Sequence, residues 1–232
     1  ELFANAVMNG GGLKDHSNDE LAAIMAGKKV GVGFSMTDRF FLLSGNTNRE
    51  DLETQLQLQT AYLMHPGYRQ DGVTLLRRAI PMIYNKMDHE VQGAMKKQVP
   101  AILYRNNPRF TFPTQEQLTS YQVKDVRDWV DAPLKNNYME VTVTGDFRTE
   151  DIIPLLERTV GAVPKRAEAP ATLDETLRHP AMADFNFSKD LTYDSSIDKT
   201  MVCLFWKTPG GENKKLARRL NMLKAVFYDR VF

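Results

Sequence analysis

Cysteine is almost missing from this chain, whose one thiol is Cys203. That excludes an internal disulfide and any zinc site built from several cysteines, and it leaves the redox compartment open. Histidine is nearly as scarce: His16, His65, His89 and His179 lie far apart, without ligand spacing, and the three outside position 89 stand beside turns as surface or capping residues. Surplus charge is lacking too. A net charge of +1 supplies no field for steering nucleic acid or holding an acidic membrane. No apolar run reaches the roughly 20 residues that span a bilayer, and no basic-then-apolar leader opens the chain. What is present is an ordinary globular composition, 42% hydrophobic and 25% charged over 232 residues, enough for one large domain or one domain with part of another. Opening at Glu1 inside a helical pattern, the chain is expected to be a segment of something longer.

The first twelve residues read as a short helix stopped by Gly10, Gly11 and Gly12. Ser17-Asn18-Asp19-Glu20 is a capping box that starts a second helix through Leu21 and Ile24, closed at Gly27. The alternation of Val30, Val32 and Phe34 predicts a strand over 28–36, and a turn at Asp38-Arg39 leads to a second strand over 40–44. Gly31 and Gly33 lack the third glycine and following helix of a dinucleotide fingerprint, so they mark a closely packed strand. Asn46–Asn48 precede a helix with Leu52, Leu56 and Leu63 on one face, ended by Pro66-Gly67. A long helical region follows from Gly72 to Tyr104, in which Pro81 and Pro100 are expected kinks or ends. Short helices are predicted over 114–121 and 123–130, then a strand over 139–144, and then a helix capped by Thr149 through Ile152, Ile153, Leu156 and Val160.

From Pro164 to about Ala183 the sequence turns to Pro, Ala, Glu and Thr without periodicity, as in a linker. Beyond it are predicted strands at 185–189 and 201–206, a Pro209-Gly210-Gly211 turn, and an amphipathic helix with Leu216, Leu220, Leu223 and Phe227 as its expected buried face. Its basic side, Lys214, Lys215, Arg218, Arg219 and Lys224, has no interleaved aromatics and reads as solvated rather than as a nucleic-acid patch. Cys203 in an apolar strand is expected to be a buried, inert thiol. Ser35, Ser44, Ser195 and Ser196 lack the Gly-x-Ser-x-Gly setting of an esterase-type nucleophile.

The order of elements and several phrases resemble the M16 (insulinase or pitrilysin) zinc metallopeptidases and their non-catalytic repeats. Val141-Thr-Val-Thr-Gly-Asp-Phe147, a helix, and Val160-Gly161-Ala162-Val163-Pro164 look like the family's closing strand, "GDF" turn, helix and exit. Leu63-Met64-His65-Pro66 and Asn107-Pro108 resemble its proline stops, and Asp198-Lys199, Phe205-Trp206 and Asp229-Arg230 resemble the start of a further repeat. The resemblance implies an α+β fold. In detail this is the two-layer α/β sandwich of M16 and LuxS-like metalloenzymes, a mostly antiparallel sheet packed on helices, with the N-terminal strands missing and a sheet edge left open. It implies a non-catalytic domain over 1–164, a linker over 165–183, and the beginning of a second such domain over 184–232.

Catalysis in that family belongs to a helical His-x-x-Glu-His motif whose Glu activates a zinc-bound water. Laid on the first helix by its Asn9-Gly10 exit, the motif falls on Glu1, Ala4 and Asn5, where no general base and no imidazole remain. The later acidic ligand falls near Ile80–Tyr84, which holds no carboxylate; Glu90 lies roughly 10 Å farther on at ~1.5 Å per helical residue. His89-Glu90-Val91-Gln92-Gly93 imitates the start of a different zinc motif, but its second histidine is replaced by Gly93, and the segment reads as a solvated helix face. No catalytic, cofactor or metal residue is therefore expected here, and zinc is expected only in the catalytic domain of a parent protein.

The resemblance thus implies the third unit of a four-unit zinc metalloendopeptidase, forming part of the wall of a clamshell chamber and supporting peptide binding. Its implied partners are other M16-like domains of the same polypeptide and a peptide or unfolded protein, with neither nucleic acid nor membrane, and a dimer through the open sheet edge is allowed. A periplasmic or secreted setting is implied by the family alone. The alternative is a non-peptidase M16-like subunit that acts by protein–protein contact.

Overall fold

A computed structural model of the chain describes residues 1–37, 39–172, 174, 177, 179–184, 186–209, 211 and 213–231. The chain divides into two units, Glu1–Asn85 with Pro113–Thr172, and Lys86–Phe112 with Leu173–Phe232.

Unit 1 is built on α1 (Leu2–Gly10), α2 (Asn18–Ile24), the strands β1 (Gly33–Met36) and β2 (Phe41–Ser44), α3 (Leu52–Met64), the first part of α4 (Asp71–His89), α6 (Gln115–Ser120), α7 (Val123–Asn136) and α8 (Thr149–Glu157). The predicted capping box is present: Glu20 N–H donates to Ser17 Oγ at 3.2 Å while Glu20 Oε2 accepts from Ser17 N–H at 2.7 Å. A second box, Thr114 with Gln117, starts α6. β1 and β2 pair antiparallel from Gly33↔Ser44 to Met36↔Phe41. Thr37 N–H donates to Phe40 O across their turn, while Asp38 lies outside the described residues. α3 begins at Leu52, later than its asparagines suggest, because Asn48 Oδ1 accepts from Asp51 N–H in the turn before it.

The core of unit 1 follows helical and strand spacing. α1 buries Phe3, Ala4, Val7 and Met8, and it packs on β1 and α7, which bury Phe34 and Met36, and Val126, Val130 and Leu134. α3 packs on α7, α8 and β2. Leu21, Leu58 and Tyr62 make a second cluster, covered by Val30, Val32 and Leu43. Side chains of this size contribute about 1.5–3 kcal/mol each when fully buried. The glycine run after α1 is used for close approach. A Cβ on Gly10 would overlap the Gly72 backbone at the start of α4, and Gly12 has φ +64, a conformation glycine adopts without steric penalty. Arg69 fixes this loop, donating to the carbonyls of Gly11 at 2.8 Å, Lys14 at 2.7 Å and His16 at 2.9 Å, and also to that of Leu13. Arg166 does the same at the end of α7, donating to the carbonyls of Leu134, Lys135 and Asn137, so the chain after Pro164 is tied to this unit.

Unit 2 holds the end of α4, α5 (Val91–Leu103) and α9 (Lys214–Val231). The predicted prolines do not break the long helical region. Pro81 and Pro100 lie inside α4 and α5, and the break falls at Glu90, with φ −124 and ψ 137. The cause is backbone contact: Gly93 lies so close to Met87 that a Cβ would overlap it, and only glycine permits that return. Tyr104 and Phe110 stack at 4.0 Å in the loop that follows.

Several sequence expectations change here. Residues 139–144 and 201–206 carry strand alternation, yet neither is paired among the described residues, and Val141, Val202 and Leu204 are exposed; a strand exists only with a neighbour to bond to. The described sheet is two-stranded and antiparallel within a helix-rich α and β arrangement. Of the predicted 185–189 strand, Phe185 lies outside the described residues, as does Gly210 of the Pro209-Gly210-Gly211 turn. Cys203 is exposed rather than buried. The expected buried face of α9 is uncovered: Leu216 and Leu220 are half-buried, and Leu223 and Phe227 are exposed. Arg148, not Thr149, flanks the start of α8. Among the described residues, no helix is long and apolar enough to cross a membrane.

Candidate functional site

The three motif positions on α1 end in three different environments. Glu1 is exposed at the helix start, Ala4 is 3% exposed within the core, and Asn5 is half-buried with its Oδ1 buried and without a hydrogen bond. Ala4 has no atom that can hold a proton or a metal. Asn5 offers a neutral amide oxygen, a weak donor for zinc beside imidazole or thiolate. On α4, Ile80 is fully buried and Tyr84 is buried with its hydroxyl donating to Pro113 O at 2.6 Å, so the later ligand position is packed with apolar and hydrogen-bonded groups. These residues do not fit a zinc ion. Among the described residues, no three His, Cys, Asp or Glu side chains gather as a metal-binding group.

His89 and Glu90 do not share a helix with Gly93, since α4 ends at His89 and α5 starts at Val91. The His89 ring is half exposed, with Nε2 3.9 Å from Asp194 Oδ2. His16, His65 and His179 are exposed.

A different feature of unit 1 has a defined geometry. Apolar side chains at even positions from Val30 to Met36 face the core while the odd positions are exposed, so strand-like alternation extends from β1 back through residue 30. On the β2 side, the Gln55 side-chain amide bonds Gly31 at two points: its Oε1 accepts from Gly31 N–H and its Nε2 donates to Gly31 O, both at 2.9 Å. On the other side, Asn9 treats Phe34 in the same way, its Oδ1 accepting from Phe34 N–H at 2.7 Å and its Nδ2 donating to Phe34 O at 2.9 Å. Each amide imitates the backbone of a neighbouring strand. The N–H and C=O groups of Val30 and Val32, which fall on the Asn9 side by alternation, bond to no described residue.

An open cleft of about 670 Å³ runs along this segment, lined by residues 28–33 and 44–46. At its start, Lys29 N–H donates to Asp51 Oδ2 at 2.8 Å, and Lys28 Nζ stands 3.7 Å from Asp51 Oδ1. The Lys29 amide bond, helped by Asn48 and the Lys28 charge, holds the Asp51 carboxyl below the usual carboxylate range. The Lys29 side chain is left exposed and without an acidic partner among the described residues. Neither edge amide is named by a sequence motif. Their signal is a polar residue next to the buried positions of an amphipathic helix, Asn9 beside Met8 and Gln55 beside Leu56.

Comparison with known proteins agrees with the earlier resemblance. Residues 120–230 match the family described as the Peptidase M16 inactive domain. The chloroplastic stromal processing peptidase of Pisum sativum is 21% identical over 145 residues, 62% of this chain and 12% of its own length; that of Arabidopsis thaliana is similar to the same degree. The chain thus spans about an eighth of these curated relatives. Among solved structures, the periplasmic protease PqqL from Escherichia coli shares the fold at a TM-score of 0.56 and 18% identity, covering 82% of this chain and 19% of PqqL. The ferredoxin protease FusC, solved in complex with Arabidopsis ferredoxin, matches at 0.56 and 16%, covering 74% of this chain and 19% of FusC. A protease from Helicobacter pylori matches at 0.56 and 14%, covering 77% of this chain and 43% of its own. These matches support an M16 inactive-type peptidase domain over residues 120–230 and an M16-like fold for the chain.

Proposed function

We propose that this chain is a non-catalytic M16-type segment of a zinc metalloendopeptidase, in which it forms part of a clamshell chamber wall and helps to hold an extended peptide. The observation that carries the reading is Ala4, a methyl group sealed in the core at the position where the family places its general base. With Glu1 and Asn5 on either side, α1 keeps the packing role of its helix and none of the chemistry. Residues 1–164 would then be one M16-like domain, 165–183 its linker and 184–232 the beginning of the next. Zinc would belong to a catalytic domain elsewhere in the parent, and the partners of this chain would be the other M16-like domains and the peptide they enclose.

The edge beside Val30 and Val32 suits that role, since backbone hydrogen bonds along a strand bind many sequences with little selectivity. Ferredoxin bound to FusC is a protein ligand of a related fold, and a protein or peptide ligand is proposed here on the same footing. PqqL is a periplasmic protease, and a periplasmic or secreted setting is proposed for the parent on that likeness. The test is to incubate the chain with a quenched-fluorescence peptide and follow both anisotropy and cleavage. Binding without cleavage is expected; cleavage abolished by a chelator and by His89→Ala would overturn the reading.

A further inference from the structure

We infer that Asn9 is a register stop: an extended peptide can pair with the strand edge at Val30 and Val32, but its ladder ends where the Asn9 amide occupies Phe34. This rests on the peptide-holding role proposed above and deepens it by defining which peptide segment is held. Three observations converge. The backbone groups of Val30 and Val32 have no hydrogen-bond partner among the described residues. Those of Phe34 are both taken, at 2.7 and 2.9 Å, by one side chain from α1, and beyond them only Met36 remains before the hairpin turn. The Lys29 ammonium, without an acidic partner among the described residues, stands at the open end of the same edge.

The ligand is thereby narrowed. It is an extended segment that offers alternating backbone N–H and C=O groups to the two valines, and it gains from a carboxylate at the end lying over Lys29. A longer strand gains nothing past Val32 unless Asn9 moves. Asn9 is itself exposed, so its amide can be removed without opening the core. Its loss would free a donor and an acceptor at Phe34 and lengthen the ladder, the opposite of what loss of a merely structural residue does to binding.

The experiment is amide hydrogen exchange read by NMR on the whole chain, with a capped alternating Thr/Val peptide carrying one terminal aspartate as the probe. Free protein should show fast exchange at Val30 and Val32 and slow exchange at Phe34. Peptide should slow the two valines and leave Phe34 unchanged, and N-methylation of the peptide nitrogen facing either valine should weaken binding about tenfold, as expected for a lost backbone hydrogen bond. In Asn9→Ala, Phe34 should exchange fast when free, become protected by peptide, and bind a longer probe about tenfold more tightly. The N-methyl series uses the unaltered protein, so it decides the matter even if the variant folds poorly. Peptide that binds without changing Val30 and Val32 would overturn this inference and leave the proposed function standing; no binding at all would overturn the peptide-holding role itself. Protection of the two valines that grows with protein concentration in the absence of peptide would also overturn it, by giving the edge to a second copy of the chain.

Discussion

The helices α1 and α9 carry the same kind of pattern and meet different fates. α1 has nine residues, of which Phe3, Ala4, Val7 and Met8 are buried. α9 has eighteen, with apolar positions at the same helical spacing, and none is buried; Leu223 is 63% exposed. Periodicity therefore specifies which face is apolar and says nothing of what covers it. In α1 the cover comes from β1 and α7 within one unit. In α9, Phe227 packs edge-on against Trp206 at 5.3 Å.

The comparison is broken most directly by truncating one residue on each helix. Phe3→Ala should lower stability by about 3–5 kcal/mol in denaturant unfolding, whereas Leu223→Ala should change it by no more than about 0.5 kcal/mol. A large loss from the α9 variant would mean that its face is covered in solution. Next in size is Arg69→Met, which removes the guanidinium that bridges the loop after α1 and leaves carbonyls unpaired. A loss of about 1.5–3 kcal/mol is expected for charge-assisted bonds, with faster exchange of the loop amides as the local readout.

The smallest effect is one of pH. Arg158 lowers the pKa of Glu53 by hydrogen bonding at 2.9 Å, and Arg148 lowers that of Asp151, with Arg49 a further 3.3 Å contact. The Arg158–Glu53 and Arg49–Asp151 pairs join α3 and the segment just before it to α8 in unit 1. A carboxylate whose folded pKa lies below its unfolded value contributes stability above the unfolded pKa. That contribution is lost as pH falls through the folded pKa. Acidification below the ordinary carboxylate range should thus loosen the α3–α8 contact first, visible as shifts at Ile152 before any at α9, and salt should weaken the same contact because these side chains are solvated. Equal sensitivity of both regions would remove the distinction.

Local chemistry was legible in the sequence. The Ser17–Glu20 capping box and the alternation through Val30 and Phe34 both follow from neighbouring residues. Features that need a distant partner were not. The breaks expected at Pro81 and Pro100 lie elsewhere because a backbone contact between Gly93 and Met87 decides the turn. The alternation in 139–144 and 201–206 has no neighbouring strand to bond among the described residues, and so Cys203 is exposed. The edge amides Asn9 and Gln55 were hidden for the same reason, since each acts on a segment more than twenty residues away.

The central proposal is that α1 packs where an M16 motif helix would lie and that the chain holds no zinc there. Zinc content by inductively coupled plasma mass spectrometry, after incubation with zinc and gel filtration, tests it most directly. The account predicts far less than one zinc per chain. One zinc per chain, retained through a chelator wash and released by replacing Glu1 and Asn5 with alanine, would contradict it.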